Sequence, residues 1–390
     1  MNNVEAILIL IVVIGAFFMP IISRRLNLPS PVAEIIFGLF MGLGFKDIIH
    51  QTDILNFLGE LGFIILMYLA GLEIKFETLK KLPTKEILLY ISVIILVILI
   101  SFLVIYTLNL AYIYLLVLMI IAVGLLFPVL KDAELTSSNL GQSVLIIASI
   151  GEVVSLVAIS LFFLIAEFGF SEQTLFRLFE ISLFFLAVYY LLKIFKLIIW
   201  WYPEKFVFLF ENDDITETAV RYNFVNMFIF VSLAALLGLE PIIGAFFGGL
   251  LLGIIVKEKE KIIEKLSAFG YGFLIPIFFI DVGLKFNLLE LLKLDIIYNA
   301  FILSILMLVV RFMASIILYF SKFSFKEILI IPFALSMPLT LLVAVATLGY
   351  ETHLINQKEA SSILLTAIIS GLIFPWIFKN LVKRLNFIQK

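Results

Sequence analysis

The chain has no cysteine and only two histidines in 390 residues. Without thiols there is no disulfide, no thiolate metal site and no cysteine nucleophile. The histidines, His50 and His353, fall in expected loops, which leaves no imidazole within the apolar segments for zinc ligation or base catalysis. Charge is also scarce. Only 14% of residues are Asp, Glu, Lys or Arg, against roughly 25% in soluble domains. A formal net charge of −2 offers no basic surface for nucleic acid. No connection between apolar runs is long enough to hold a separate soluble domain.

What the chain has in excess is apolar surface: 63% of residues are hydrophobic and the mean hydropathy is +1.21. Runs of about 20 apolar residues, enough to cross a bilayer, recur from end to end. Lipid gives the backbone no hydrogen-bond partners, so spanning segments are helices or closed barrels. Barrel strands would alternate over about ten residues, whereas these runs are continuous. The expected fold is therefore an all-α polytopic membrane protein. About thirteen spans are expected, starting near residues 4, 31, 54, 86, 111, 140, 174, 220, 240, 266, 290, 326 and 360. The first, VEAILILIVVIGAFFMPII, is too long for a signal-peptide core and has no basic leader or small-residue cleavage site, so it reads as a retained helix. Trp200, Trp201 and Tyr202 fit an interfacial anchor at the end of the seventh span.

Loop charge sets an orientation. With the N-terminus outside and the C-terminus in the cytoplasm, inside loops carry nineteen Lys and Arg residues and outside loops five. That asymmetry follows the positive-inside rule; the expected location is the cell inner (plasma) membrane, crossed many times. Lys193 and Lys196 lie near the inner end of the seventh span and can snorkel. Arg311, deep in the eleventh span, cannot.

The sequence repeats itself at a spacing of about 210 residues. SPVAEIIFGLFMG (30–42) echoes EPIIGAFFGGLLLG (240–253), with Pro31 opposite Pro241 and Gly38 opposite Gly248. ELGFIILMYLAGLEIKF (60–76) echoes AFGYGFLIPIFFIDVGLKF (268–286). An odd number of spans separates the copies, so they cross the membrane in opposite directions, a signature of secondary transporters. A first repeat of about 4–166, a linker helix of about 174–202 and a second repeat of about 220–380 follow. The fifth and twelfth spans correspond, and both are interrupted. The fifth has Gly124 and Pro128; the twelfth has Pro332 and Pro338. Proline removes a backbone donor and frees a carbonyl. Matched breaks in two halves point to a midplane transport site; ordinary proline kinks are the alternative.

Glu152 is the residue with the clearest chemistry. It lies midway in SVLIIASIGEVVSLVAISLFFL, which holds no other charge, where a carboxylate costs at least about 2.5–3.5 kcal/mol. Ser149, Glu152 and Ser155 form one polar stripe, with Gln142 near the same face. On the eleventh span Ser304, Arg311 and Ser315 share a face. Glu152 reads as an ion- and proton-binding group with Arg311 as its charge partner; a purely structural ion pair is the alternative. Ser149, Ser155 and Thr340, with carbonyls freed near Pro128 and Pro338, would complete an oxygen cage. Asp281, one turn before Lys285, is either an i,i+4 pair or a cavity acid. Glu34 and Glu60 read as hydrogen-bonding groups between scaffold helices. Glu180, three residues after Arg177, reads as a surface pair. The stretches 211–217 and 257–265 read as solvated inner loops.

At RRLNLPSPVAEIIFGLFMG, FLGELGFIILMYLAGLEIKF, GLEPIIGAFFGGLLLG and FLIPIFFIDVGLKF the chain resembles the monovalent cation:proton antiporters with a sodium/hydrogen-exchanger domain, in particular the NapA-type and Kef-type branch. The resemblance spans nearly the whole chain. It implies a homodimer, a scaffold of spans 1–3 and 8–10, a mobile core of spans 4–6 and 11–13, and two crossed broken helices facing a carboxylate pair. Here the pair falls on Gly151 and Glu152, so the first acid is missing. The basic partner falls on Arg311, where NapA-type proteins have lysine. Pro338 and Thr340 stand where those proteins carry Arg and Glu. The implied activity is electroneutral exchange of Na⁺ or K⁺ for H⁺ by alternating access, serving pH homeostasis, with no cofactor. A cation channel of the same architecture and an organic-anion symporter on the same plan are the competing readings. An intramembrane enzyme would need clustered Asp, a Ser–His pair or a His–Glu zinc motif within the spans, and none occurs.

Overall fold

The computed structural model describes residues 3–26, 28–49, 53–74, 82–136, 138–169, 171–201, 217–255 and 260–384. Among these every regular element is helical. In chain order the α-helices are α1 (Asn3–Leu26), α2 (Ser30–Ile49), α3 (Asp53–Glu73), α4 (Thr84–Leu108), α5 (Ile113–Met119), α6 (Leu126–Asp132), α7 (Asn139–Phe168) and α8 (Glu172–Trp201). They continue with α9 (Thr218–Leu236), α10 (Pro241–Ile255), α11 (Glu260–Phe269), α12 (Ile275–Lys285), the single turn α13 (Leu288–Leu291), α14 (Leu294–Ser315), α15 (Phe325–Leu335), α16 (Leu339–Glu351) and α17 (Gln357–Arg384). A π-helical turn, Gly270–Leu274, joins α11 to α12.

Among the described residues ten helical segments are long and apolar enough to cross a bilayer. That is fewer than the thirteen spans expected, for a physical reason. The apolar parts of α2 and α10 are short, Ser30–Gly44 and Pro241–Ile254, and residues 111–132 form two seven-residue helices rather than one. Of the expected aromatic anchor only the exposed Trp201 side chain is described. Tyr202, His50, the acidic stretch through residue 216 and residues 257–259 lie outside the described residues.

The chain divides into two compact units. The first comprises residues 1–22, 34–76 and 164–285. Its helices approach closely at glycine. A Cβ on Gly38 of α2 would stand 2.1 Å from the Ile280 carbonyl oxygen, and one on Gly283 of α12 would stand 2.2 Å from that of Ile35. Gly71 of α3 meets the Phe246 carbonyl of α10 in the same way, and Gly249 meets that of Tyr68. Thus α2 crosses α12, and α3 crosses α10, backbone against backbone. Under the repeat read in the sequence these crossings would be one pairing made twice. Leu8, Val12, Met41, Leu55, Ile277, Ile280 and Leu284 fill the space beside the α2–α12 crossing. Phe63 stacks on Phe278 with ring centroids 4.6 Å apart.

A satisfied polar network also lies inside this unit. The Tyr68 hydroxyl donates to Asn223 Oδ1 (2.9 Å), while Asn226 Nδ2 donates to the Tyr68 hydroxyl (3.1 Å) and to the Gly248 carbonyl (2.9 Å). Hydrogen bonds of this kind offset the cost of burying amides in an apolar interior.

The second unit comprises residues 23–33, 77–163 and 286–390. Its centre is α16, where Leu339 and the residues from Leu341 to Ala346 are fully buried. Helix α15 starts with a reciprocal cap in which Ser324 accepts from the Glu327 amide and the Glu327 side chain accepts from that of Ser324. Ion pairs lie at its surface: Lys322–Glu86 (2.7 Å), Lys358–Asp295 (2.7 Å) and Lys379–Asp132 (2.8 Å).

Substituting Gly283→Leu forces a side chain into the α2 backbone. Overpacking of this kind costs about 1–3 kcal/mol or more. The variant is expected to lose thermal stability in detergent, read by fluorescence-detected size exclusion. Gly44→Ala, with no heavy atom within 4 Å of the added Cβ, is expected to stay within about 0.5 kcal/mol of the parent.

Candidate functional site

The second unit contains both broken helices. In the first, α5 gives way at Ile120, whose backbone turns extended (φ −63°, ψ 129°), and the helix resumes at Leu126. Pro128 has no N–H, so the Gly124 carbonyl loses the donor that a continuing helix would supply. The interrupted backbone is satisfied from outside. The Ile121 amide donates to Ser155 Oγ (2.9 Å), and Ser155 Oγ donates to the Gly151 carbonyl (2.7 Å). Helix α7 therefore holds the break against its own side.

The second break lies between α15 and α16. Helix α15 contains Pro332 and ends at Leu335; α16 starts at Leu339 after Pro338. Two tight turns fill the gap, with the Ser336 amide donating to the Phe333 carbonyl (3.2 Å) and the Leu339 amide to that of Met337 (2.9 Å). Ser336 (0% exposed) and Thr340 (4%) flank Pro338, and neither hydroxyl has a hydrogen-bond partner among the described residues. The two breaks touch. A Cβ on Gly124 would lie 3.2 Å from Thr340 Cγ2 and 3.3 Å from its Oγ1.

Arg311 of α14 joins the breaks. It is completely buried. Its Nε donates to the Leu335 carbonyl (2.9 Å) at the end of α15. One terminal nitrogen donates to the carbonyls of Leu118 (3.0 Å) and Met307 (2.8 Å), and the other to that of Ile120. The carbonyl ends of α5 and α15 carry partial negative charge, and one fixed cation serves both. The sequence reading paired this guanidinium with the Glu152 carboxylate. Among the described residues its hydrogen bonds end on backbone carbonyls, because a broken helix presents several acceptors at one point.

Glu152 lies midway along α7 and is fully buried. Its neighbour Gly151 packs on the first break: a Cβ there would stand 2.9 Å from the Ile121 Cβ. Glu152 thus sits on a helix fixed to the break on both sides, through Gly151 and Ser155. Ser149 is buried and donates to the Leu145 carbonyl one turn back (2.8 Å), leaving its lone pairs available. Ser155, expected in the cation cage, is engaged both as donor and as acceptor.

The structure does not gather the remaining candidates here. Pro128 and Gln142 are exposed. Ser304 donates to the Ala300 carbonyl four residues back (2.8 Å), and Ser315 is buried without a partner for its hydroxyl among the described residues. Asp281 belongs to the first unit, where it is buried, lies 3.0 Å from Lys285 Nζ and abuts Gly59 of α3; the i,i+4 pair is the arrangement adopted. Glu34 is buried but Glu60 is exposed, so Glu60 is not an interior scaffold group. Arg177 and Glu180 pair at 2.8 Å. Ser336 was missing from the sequence reading. Its signal was its place between two prolines in PFALSMP.

Residues 12–384 match the family described as "Sodium/hydrogen exchanger, transmembrane". A Bacillus subtilis protein, YjbQ, provisionally named a Na(+)/H(+) antiporter, is 30% identical over 396 residues; the match covers 96% of this chain, which spans 63% of that relative's length. The Na(+)/H(+) antiporter of Enterococcus hirae is 25% identical over 370 residues, covering 93% of this chain and 94% of that one. The sodium proton antiporter MjNhaP1 from Methanocaldococcus jannaschii, solved at pH 8, superposes with a TM-score of 0.70 at 16% identity, covering 98% of this chain and 97% of that one. At that identity the likeness concerns the fold.

Ser155→Ala orphans the buried Ile121 amide, at a cost of about 1–3 kcal/mol. A matching loss of thermal stability is expected in detergent. Ser149→Ala removes only a bond to a carbonyl within its own helix turn and is expected to leave stability within about 0.5 kcal/mol.

Proposed function

The chain belongs to the sodium/hydrogen exchanger family, and from that premise we propose that it exchanges a monovalent cation for a proton, with Glu152 as the shared binding group. The observation that carries this reading is a fully buried carboxylate on the helix that holds the first break through Ser155 and Gly151. A buried charge is costly in lipid. A bound cation or a bound proton each removes that cost, so the two compete for one carboxylate. Only the neutralised site is then re-exposed on the other side of the membrane. Freed carbonyls and Thr340 supply oxygen ligands.

Arg311 acts as a permanent countercharge to the two helix ends. Arginine keeps its proton at physiological pH, so it carries none. Gly151 stands where the resemblance to NapA-type antiporters places the first acid of the pair, which leaves one switchable charge per cycle. Exchange is therefore one for one and electroneutral, for Na⁺ or K⁺. Exchange is favoured by family membership over the channel and organic-anion alternatives. The excess of Lys and Arg on one set of loops supports a plasma-membrane orientation with the N-terminus outside. The resemblance supports a homodimer, with the unit that contains Glu152 acting as the mobile core.

Proteoliposomes containing the chain and a lumenal pH dye test this reading. Addition of Na⁺ or K⁺ is expected to drive proton movement whose rate does not change with an imposed membrane potential. Glu152→Gln, which keeps the shape but not the charge, is expected to abolish it. Full activity in that variant removes Glu152 from its role, and a clear voltage dependence removes the one-for-one stoichiometry.

A further inference from the structure

We infer that the cation's protein hydroxyl ligands come from the second helix break, from Ser336 and Thr340, and not from Ser155 beside the first. This rests on the cation–proton exchange proposed above and names the side chains that would set its cation preference. Three hydroxyls border the two breaks, and they differ in how they are engaged. Ser155 Oγ accepts from the Ile121 amide and donates to the Gly151 carbonyl. Using it as a cation ligand would crowd an oxygen that already holds the broken backbone together. Ser155 is a positioning residue.

Ser336 and Thr340 are in the opposite condition. Both are more than nine-tenths buried, and both hydroxyl oxygens lack a hydrogen-bond partner among the described residues. Buried polar groups in native structures are almost always satisfied, so each exception calls for an explanation. An alkali cation is one, since oxygen dipoles replace its hydration shell. Position agrees. The two residues are four apart, on either side of Pro338, which cannot donate to the Ala334 carbonyl. The Thr340 hydroxyl lies 3.3 Å from the site of a missing Gly124 Cβ, and Gly124 is the residue whose own carbonyl Pro128 leaves without a helical donor. Gly124 thus keeps the approach to Thr340 open, and the two breaks that touch there carry two freed carbonyls and two idle hydroxyls between them. Arg311 is spent on the other carbonyls of the crossing, those of Leu118, Ile120 and Leu335, and leaves this set unclaimed.

The test is exchange by the full chain in proteoliposomes, with Na⁺, K⁺ and Li⁺ titrated separately at fixed pH. Ser336→Ala and Thr340→Val are each expected to raise the cation KM about tenfold, the factor that roughly 1.4 kcal/mol of lost binding produces, with kcat little changed. Each is expected to alter the ratios among the three cations, which a general loss of folded protein would leave alone. Thr340→Ser keeps the hydroxyl and is expected to retain the parent preference. Ser155→Ala is expected to lower yield or kcat while keeping the KM ratios. Parent KM values and ratios in Ser336→Ala overturn the inference while leaving the exchange reading intact. Should Ser336→Ala fail to purify as folded protein, parent values in Thr340→Val overturn it equally. Absence of exchange by the unsubstituted chain overturns the exchange reading itself, and the inference with it.

Discussion

A helix that stops inside a membrane protein leaves backbone carbonyls with neither water nor a next turn to bond them, and this chain has two such ends at one place. The Arg311 guanidinium answers both. It reaches the carbonyls of Leu118, Ile120 and Leu335 as well as that of Met307 in its own helix. The planar fork of an arginine can serve several acceptors at fixed angles, which the compact ammonium of a lysine cannot match. Without that cation the carbonyl ends of α5 and α15 would repel each other in a low-dielectric interior. The crossing, and the geometry of every group beside it, depends on this one side chain.

The division of labour among the charges follows. Arg311 is committed to structure and holds its charge, so the variable charge falls to Glu152. Gly151 lets α7 approach the extended backbone of the first break, since any Cβ there would press on Ile121. The contact that fixes the helix of Glu152 to the break is therefore also one that leaves little room for a larger side chain at position 151. Ser155 completes the attachment by taking the Ile121 amide. Three consecutive features of α7, a glycine, an acid and a serine, thus have three physical tasks: approach, switchable charge and backbone repair.

The first unit is built on different physics. Its helices meet through glycine backbones at Gly38 with Gly283 and at Gly71 with Gly249, where small residues allow dispersion contacts that lipid cannot supply between bulkier helices. The buried amides of Asn223 and Asn226 are bonded to Tyr68 and to backbone. In the second unit, by contrast, the Ser336 and Thr340 hydroxyls at the break have no hydrogen-bond partner among the described residues. A satisfied polar interior favours a single rigid packing; an unsatisfied one leaves capacity for a ligand.

Composition and periodicity were enough for the helical membrane class, because a continuous apolar run in lipid has almost no alternative to a helix. The breaks were legible for a similar reason: proline removes a donor wherever it stands, and Pro338 with Gly124 marked both places. Glu152 was legible because a lone acid amid apolar residues has no ordinary explanation. Partner choice was not. Nothing in the spacing of Arg311 announces its hydrogen bonds to the carbonyls of Leu118, Ile120 and Leu335, since these are brought to it by α5 and α15, 191 and 24 residues away for Ile120 and Leu335. Nor could sequence separate Ser155, held at both ends, from Ser336, held at neither. Chemistry that resides in one residue is written in the chain; whether that residue is occupied or idle is decided by which distant backbone folding places beside it.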